Sequence, residues 1–187
     1  NNFCGGIMDK IFKEFINQYI DAINNDIDID LLSQSSDLIK ETKNKGGKII
    51  LAGNGGSAAM ASHVAVDFTK NASIRAINFN EADLITCFAN DYGYENWVEQ
   101  ALRFYADEND LVVLISSSGN SMNMVNAAEY CKKVDMNVIT LTGFSKNNKL
   151  NNLGRINFWI DSNEYNIVEM THHIILLLLV DGFINES

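Results

Sequence analysis

The sequence predicts an α/β protein, a three-layer αβα sandwich around a parallel sheet of about five strands. Three observations predict it. Short apolar runs of strand length alternate with segments of helical periodicity, the pattern of strand–helix–strand crossovers. Two of these runs, Lys48-Ile-Ile-Leu-Ala52 and Asp110-Leu-Val-Val-Leu-Ile115, pass through a glycine- and serine-rich loop straight into a helical segment. The chain has 187 residues, 47% of them hydrophobic, enough to bury the core of one ordinary domain.

The elements follow in order. Ile11, Phe12, Phe15, Ile16, Tyr19, Ile20 and Ile23 recur at three- and four-residue intervals, so the first helix has a wide apolar stripe. Residues 30–45 read as a second helix, N-capped by Asp30 and stopped by Gly46-Gly47. Strands are expected at 48–52, 74–79, 111–115, 137–141 and 156–160. Helices are expected at 57–70, 83–89, 96–105 and 121–134, with a helical turn at 149–152 and a long closing helix at 166–184. One domain spans 1–187, with a helical region at 1–45 and the α/β core at 46–187. The first helix has more apolar surface than a chain of this length covers alone, so it is expected to bury against other subunits.

Composition narrows the partners. With 24 acidic and 14 basic residues the net charge is −10, which argues against nucleic acid. A small anion must then be attracted locally, and Lys70, Lys146 and Lys149 are the nearest basic candidates in sequence. Cys4, Cys87 and Cys131 are odd in number and lack metal-type spacing, so reduced thiols and a cytoplasmic location are expected. The most apolar tract, 174–180, is shorter than the roughly 20 residues of a membrane span, and no membrane partner is expected. The methionines, Trp97 and Trp159 read as packing.

The two loops carry the chemistry. Gly53-Asn-Gly-Gly-Ser57 and Ser116-Ser-Ser-Gly-Asn-Ser121 each supply glycines for a tight turn, hydroxyl donors, and a helix N-terminus directed at an anion. Two such units suggest one phosphorylated metabolite held at the carboxyl edge of the sheet. Beyond the first loop, His63 and Asp67 stand at i and i+4 and share a helix face. They can ligate one metal ion, or the carboxylate can act as a base beside a polarising histidine. The other two histidines, His172 and His173, are adjacent in the closing helix.

Four segments together resemble the sugar isomerase (SIS) domain family: Gly53–Ser57 with His63 and Asp67, residues 85–94 (Ile-Thr-Cys-Phe-Ala-Asn-Asp-Tyr-Gly-Tyr), residues 115–121, and residues 138–143. The resemblance covers nearly the whole chain, with phosphoheptose isomerases most similar. It implies a flavodoxin-like SIS fold, a cytoplasmic homotetramer, and aldose–ketose isomerisation of a phosphosugar through an enediol. Sedoheptulose 7-phosphate, isomerised to a heptose 7-phosphate for surface-glycan synthesis, is the expected substrate. A non-catalytic phosphosugar-binding or protein-docking module of the same family is the alternative.

By the same resemblance, Ser57, Ser116, Ser117 and Ser121 bind phosphate within loops that include Gly55, Gly56 and Ser118, while Asn54 and Asp91 bind sugar hydroxyls. The family carries a glutamate base at the position of Asp67, here one methylene shorter, able to join a zinc site with the histidine at His63. It carries a glutamine at Val168 and a histidine at Leu176, both apolar here. Helical phase places His172 between those two positions, so His172 is expected to replace the lost acid and to join His63 and Asp67 as a zinc ligand. Glu169 and His173 are the alternates.

Overall fold

Five parallel strands, β1 (Ile49–Gly53), β2 (Ala76–Asn78), β3 (Leu111–Ser116), β4 (Asn137–Thr142) and β5 (Ile156–Trp159), form the sheet in a computed structural model that describes residues 3–186. The strand order is β2-β1-β3-β4-β5. β1 and β3 are buried along their full length, which is why they read as unbroken apolar runs rather than alternating ones. The side chain of Cys4 lies outside the described set, as do residues 1, 2 and 187 of the expected 1–187 span.

Among the described residues, seven helices accompany the sheet: α1 (Phe3–Asp26), α2 (Ile29–Asn44), α3 (Gly56–Lys70), α4 (Ala82–Tyr92), α5 (Trp97–Tyr105), α6 (Met122–Lys133) and α7 (Tyr165–Glu186). Alternate strand residues face opposite layers. Ile49, Leu51, Val113, Ile115, Ile139 and Leu141 pack with α2, α3 and α7. Ile50, Ala52, Val112, Leu114 and Val138 pack with α5 and α6. These are the two interfaces of a three-layer sandwich.

Several boundaries differ from the sequence reading. Asp28, not Asp30, caps α2, its Oδ1 accepting from the backbone N–H of Asp30 at 2.8 Å and of Leu31 at 3.1 Å. That choice satisfies donors of the first turn that have no partner within the helix. β2 is only three residues long, as suits an edge strand with one neighbour. The expected helical turn at 149–152 is a run of non-helical turns held by side chains, with Asn151 N–H donating to Asn148 Oδ1 at 2.8 Å. α7 extends the apolar tract well beyond 174–180. Tyr165–Asn185 is long and apolar enough to cross a membrane, yet half of its apolar window is buried in contacts with other elements of the fold, among them α1, α2, α3 and β4.

The chain runs outward from β1 to β2 and then returns to lay β3 on the other side of β1. Connections on either side of this reversal diverge, leaving a gap above the carboxyl ends of β1 and β3. Both glycine–serine loops open there.

Candidate functional site

The first loop leaves β1 at Gly53 and enters α3 at Gly56, with Gly55 at φ +55° making the turn. The second leaves β3 at Ser116 and enters α6 at Met122. Gly119 is fixed twice over, by φ +63° and by Asn148, whose side chain occupies the space a Cβ would need. Ser116 Oγ donates to Ser121 Oγ at 3.0 Å across the mouth of the second loop. Ser117 Oγ is buried with no hydrogen-bond partner, a hydroxyl held ready for a ligand.

Asn54, Ser57, Ser116, Ser117, Ser118, Ser121, Tyr165 and Glu169 line one pocket of about 120 Å³. That volume suits a phosphate group with the rest of a ligand extending outward. A larger hollow of about 370 Å³ lies beside α1, but its charged lining residues are Asp21, Asp26 and Asp161, which repel anions. No lysine lines the serine pocket. Lys146 lies over the Trp159 ring at 5.1 Å and Lys149 Nζ is 3.6 Å from Met122 Sδ. An anion in this pocket would be held by neutral donors and helix dipoles.

Asn54 lines the pocket with an amide that is already largely paired. Its side chain exchanges two hydrogen bonds with buried Asn123 of α6, at 3.0 and 2.9 Å, and accepts a third from Tyr94 Oη at 3.0 Å. This reciprocal pair ties the two loops together. The sequence reading missed Asn123 and Tyr94; the available signal was an asparagine between two methionines at the start of an otherwise apolar helix face. Asp91 stays outside the pocket, exposed on α4, where it accepts from Asn90 Nδ2 at 2.9 Å.

The seam between α3 and α7 carries the titratable groups. The Glu169 carboxylate lies against Gly56 at the start of α3. One turn along α7, about 6 Å, His173 Nε2 meets His63 Nδ1 at 2.9 Å, the ring planes crossing at 87°. His63 Nε2 lies 3.2 Å from Asp67 Oδ2, and Asp67 Oδ1 accepts from Asn71 Nδ2 at 3.2 Å. The carboxylate can only accept here, so neutral His63 carries its proton on Nε2 and accepts on Nδ1. His173 then donates from Nε2 and keeps the Nδ1 lone pair free. The His173 pKa is lowered, first by burial and then by the neighbouring His63 imidazole, with Asp67 acting in the opposite sense.

His172 is not part of this group, which corrects its expected place beside His63 and Asp67. Successive helix residues turn by about 100°, so His173 faces α3 while His172 faces the sheet with Val168 and Leu176, both buried. The His172 side chain is wholly buried, its Nε2 donating to the Thr142 carbonyl at 3.0 Å. Desolvation pulls its pKa down to about 4 despite that bond, so the ring is neutral. Val168 and Leu176 are core residues, Val168 packing over Gly143.

The donor set does not fit the zinc that the resemblance implies. Among the described residues no three His, Cys, Asp or Glu side chains are grouped to hold one ion. Asp67 binds the edge of the His63 ring opposite to that facing His173, and His172 is committed to Thr142, so the ligands do not converge.

Comparison with known proteins agrees with the fold. The SIS domain profile matches residues 12–143. A phosphoheptose isomerase of Helicobacter pylori is 30% identical over 183 residues, covering 94% of this chain and 95% of that protein. One from Aliarcobacter butzleri is 34% identical over 147 residues, 75% of this chain and 77% of the relative. The solved structure of a phosphoheptose isomerase from Neisseria gonorrhoeae superposes with a TM-score of 0.84 at 26% identity, covering 96% of this chain and 99% of that one.

Proposed function

The chain belongs to the SIS domain family, and we propose that it is a phosphosugar aldose–ketose isomerase with sedoheptulose 7-phosphate as substrate and a heptose 7-phosphate as product, for surface-glycan synthesis. The observation that carries this reading is that α3 and α7 hold both the Asp67–His63–His173 chain and two residues of the serine-lined pocket, Ser57 and Glu169, with Glu169 one helical turn before His173. Similarity to the phosphoheptose isomerases of Helicobacter pylori and Neisseria gonorrhoeae supports the substrate.

The phosphate sits among Ser57, Ser116, Ser117 and Ser121. The carbon chain extends past Glu169, whose carboxylate accepts from sugar hydroxyls, toward His173. In the ketose-to-aldose direction, His173 Nδ1 removes a proton from C1 while the C2 carbonyl oxygen gains one, giving a 1,2-enediol. Return of a proton to C2 with loss of the O1 proton leaves an aldehyde at C1. His63 and Asp67 act behind His173, orienting the ring and stabilising the imidazolium that forms, as in other carboxylate–imidazole relays. In this reading Asp67 works through His63 rather than as the base itself, its Oδ2 facing His63 Nε2 and its Oδ1 accepting from Asn71.

The assembly we propose is a homotetramer in which α1 supplies a subunit contact. Met8, Phe12 and Ile16 are 44%, 57% and 55% exposed in the isolated chain, a row of apolar side chains at four-residue spacing on one helix face. The unpaired thiols of exposed Cys87 and buried Cys131 support a reducing cytoplasmic setting.

The test is incubation with sedoheptulose 7-phosphate in deuterated water, followed by NMR. Heptose formation or deuterium entry beside the carbonyl, lost in His173→Ala, is the expected result. Saturable binding with no exchange would instead favour a binding or docking module.

A further inference from the structure

We propose that His172 is a positioning residue of the phosphate site, holding Ser117 in place through the Thr142–Gly143 peptide. The inference rests on the reading of the serine pocket as a phosphosugar site. Its starting point is a buried imidazole for which the proton chemistry has no use. His172 is fully enclosed on the face of α7 between Val168 and Leu176, where a leucine would fill the space without a polar group to satisfy. Its Nδ1 is left without a partner inside the protein, an uncompensated cost that the Nε2 bond must offset.

That bond reaches the loop in two steps. A carbonyl only accepts, so His172 Nε2 carries the proton and donates to Thr142 O at 3.0 Å. The same oxygen accepts the Ile160 backbone N–H at 2.9 Å, so both of its lone pairs are used. The other end of the peptide, the Gly143 N–H, donates to Ser117 O at 2.9 Å. A trans peptide is planar, with its N–H and C=O pointing in opposite directions. The Thr142–Gly143 unit is therefore a rigid strut with His172 pulling on one end and Ser117 fixed to the other. Two donors on its oxygen also polarise the N–H and strengthen its hold on Ser117.

The ligand side of the strut is built and waiting. Ser117 is only 6% exposed, and its Oγ is the buried hydroxyl without a partner at the pocket. A small rotation of Ser117 would turn that hydroxyl away from the phosphate. His172 resists that rotation from the opposite side of β4, without touching substrate.

The experiment compares wild type, His172→Leu and His172→Gln in steady-state kinetics with sedoheptulose 7-phosphate and in calorimetric titration with inorganic phosphate. We expect His172→Leu to raise KM and the phosphate Kd about tenfold, the value of one hydrogen bond, with kcat nearly unchanged. His172→Gln retains an N–H donor and should restore most of the affinity. Wild-type affinity for phosphate in a folded His172→Leu protein would overturn the proposal, and a collapse of kcat at constant KM would show a different role. Should His172→Leu fail to fold, the His172 Nε2–H resonance of the wild type decides. It should shift on saturation with phosphate, and an unmoved resonance refutes the coupling. A wild type that binds neither phosphate nor phosphosugar would refute the reading of the pocket itself.

Discussion

His63 and His173 meet ring nitrogen to ring nitrogen at 2.9 Å across the α3–α7 seam, and Asp67 closes the line from the far edge of His63. Three side chains from two helices thereby form one directional proton path, whose open end is His173 Nδ1.

Replacing His173 should be the most damaging change at the site. His173→Ala is expected to lower kcat about 10²- to 10⁴-fold, the usual contribution of a general base, with little effect on phosphate affinity. In the proposed mechanism the neutral ring is the active form, so activity should rise with pH through its pKa. Burial and His63 lower that pKa, so the acidic limb of kcat/KM should fall below the ordinary histidine value of 6.5. A pH–rate profile of wild type beside the variant checks both points.

The amide pair between the loops predicts a different signature. Asn123→Ala leaves the Asn54 side chain without its reciprocal partner in a partly buried position. It should cost about 1–3 kcal/mol of stability and weaken phosphosugar binding more than it slows turnover. Chemical denaturation and the KM-to-kcat comparison measure the two effects.

His172 predicts a pH dependence of stability. Its folded pKa of about 4 lies below the unfolded value of 6.5, so the unfolded chain binds the extra proton between those limits. Its contribution is fully present above pH 6.5 and is lost as pH falls toward 4, by about 3 kcal/mol. Denaturation curves at pH 7 and pH 4 should therefore differ less for His172→Gln than for wild type.

Gly119 offers a test of the proposed phosphate role of the second loop alone. Gly119→Ala must adopt φ +63° and displace the Asn148 side chain. A loss of about 1–2 kcal/mol from the left-handed backbone is expected before any clash is counted, along with a clear drop in phosphate affinity by calorimetry.

The apolar row on α1 predicts the assembly. If α1 supplies the contact of the proposed homotetramer, Phe12→Glu with Ile16→Glu should yield separated subunits on light-scattering chromatography. Each side chain is more than half exposed in the single chain, so the subunit's helical content should persist.

The element order and the position of both glycine–serine loops were legible because they rest on local signals: apolar runs of strand length, and glycines with hydroxyls at the junctions. The pairing of His63 with Asp67 was legible for the same reason, since i,i+4 neighbours share a face. His172 and His173 differ by one residue, hence by about 100° around the helix, and only tertiary packing says which azimuth meets α3. The apolarity of Val168 and Leu176 was the clue: a face on which both ±4 neighbours of His172 are apolar is a face turned to the core. The Asn54–Asn123 pair spans two layers of the fold and leaves no periodic trace. Asp91 followed the family pattern, yet α4 keeps it away from the serine pocket of its own chain.

The reversal of the chain between β1 and β3 has a consequence for how the protein assembles. One anion loop follows each of these strands, and long stretches of sequence, including β2, α4 and α5, separate them. Neither half can grip a phosphate fully until β3 has docked against β1 and closed that long connection, a slow, non-local step. A phosphosugar gripped by both loops, as proposed, would therefore stabilise only chains that have completed this pairing. A growing or partly unfolded chain with just the first loop formed would gain almost nothing, and the metabolite would act as a selective clamp on the finished sheet.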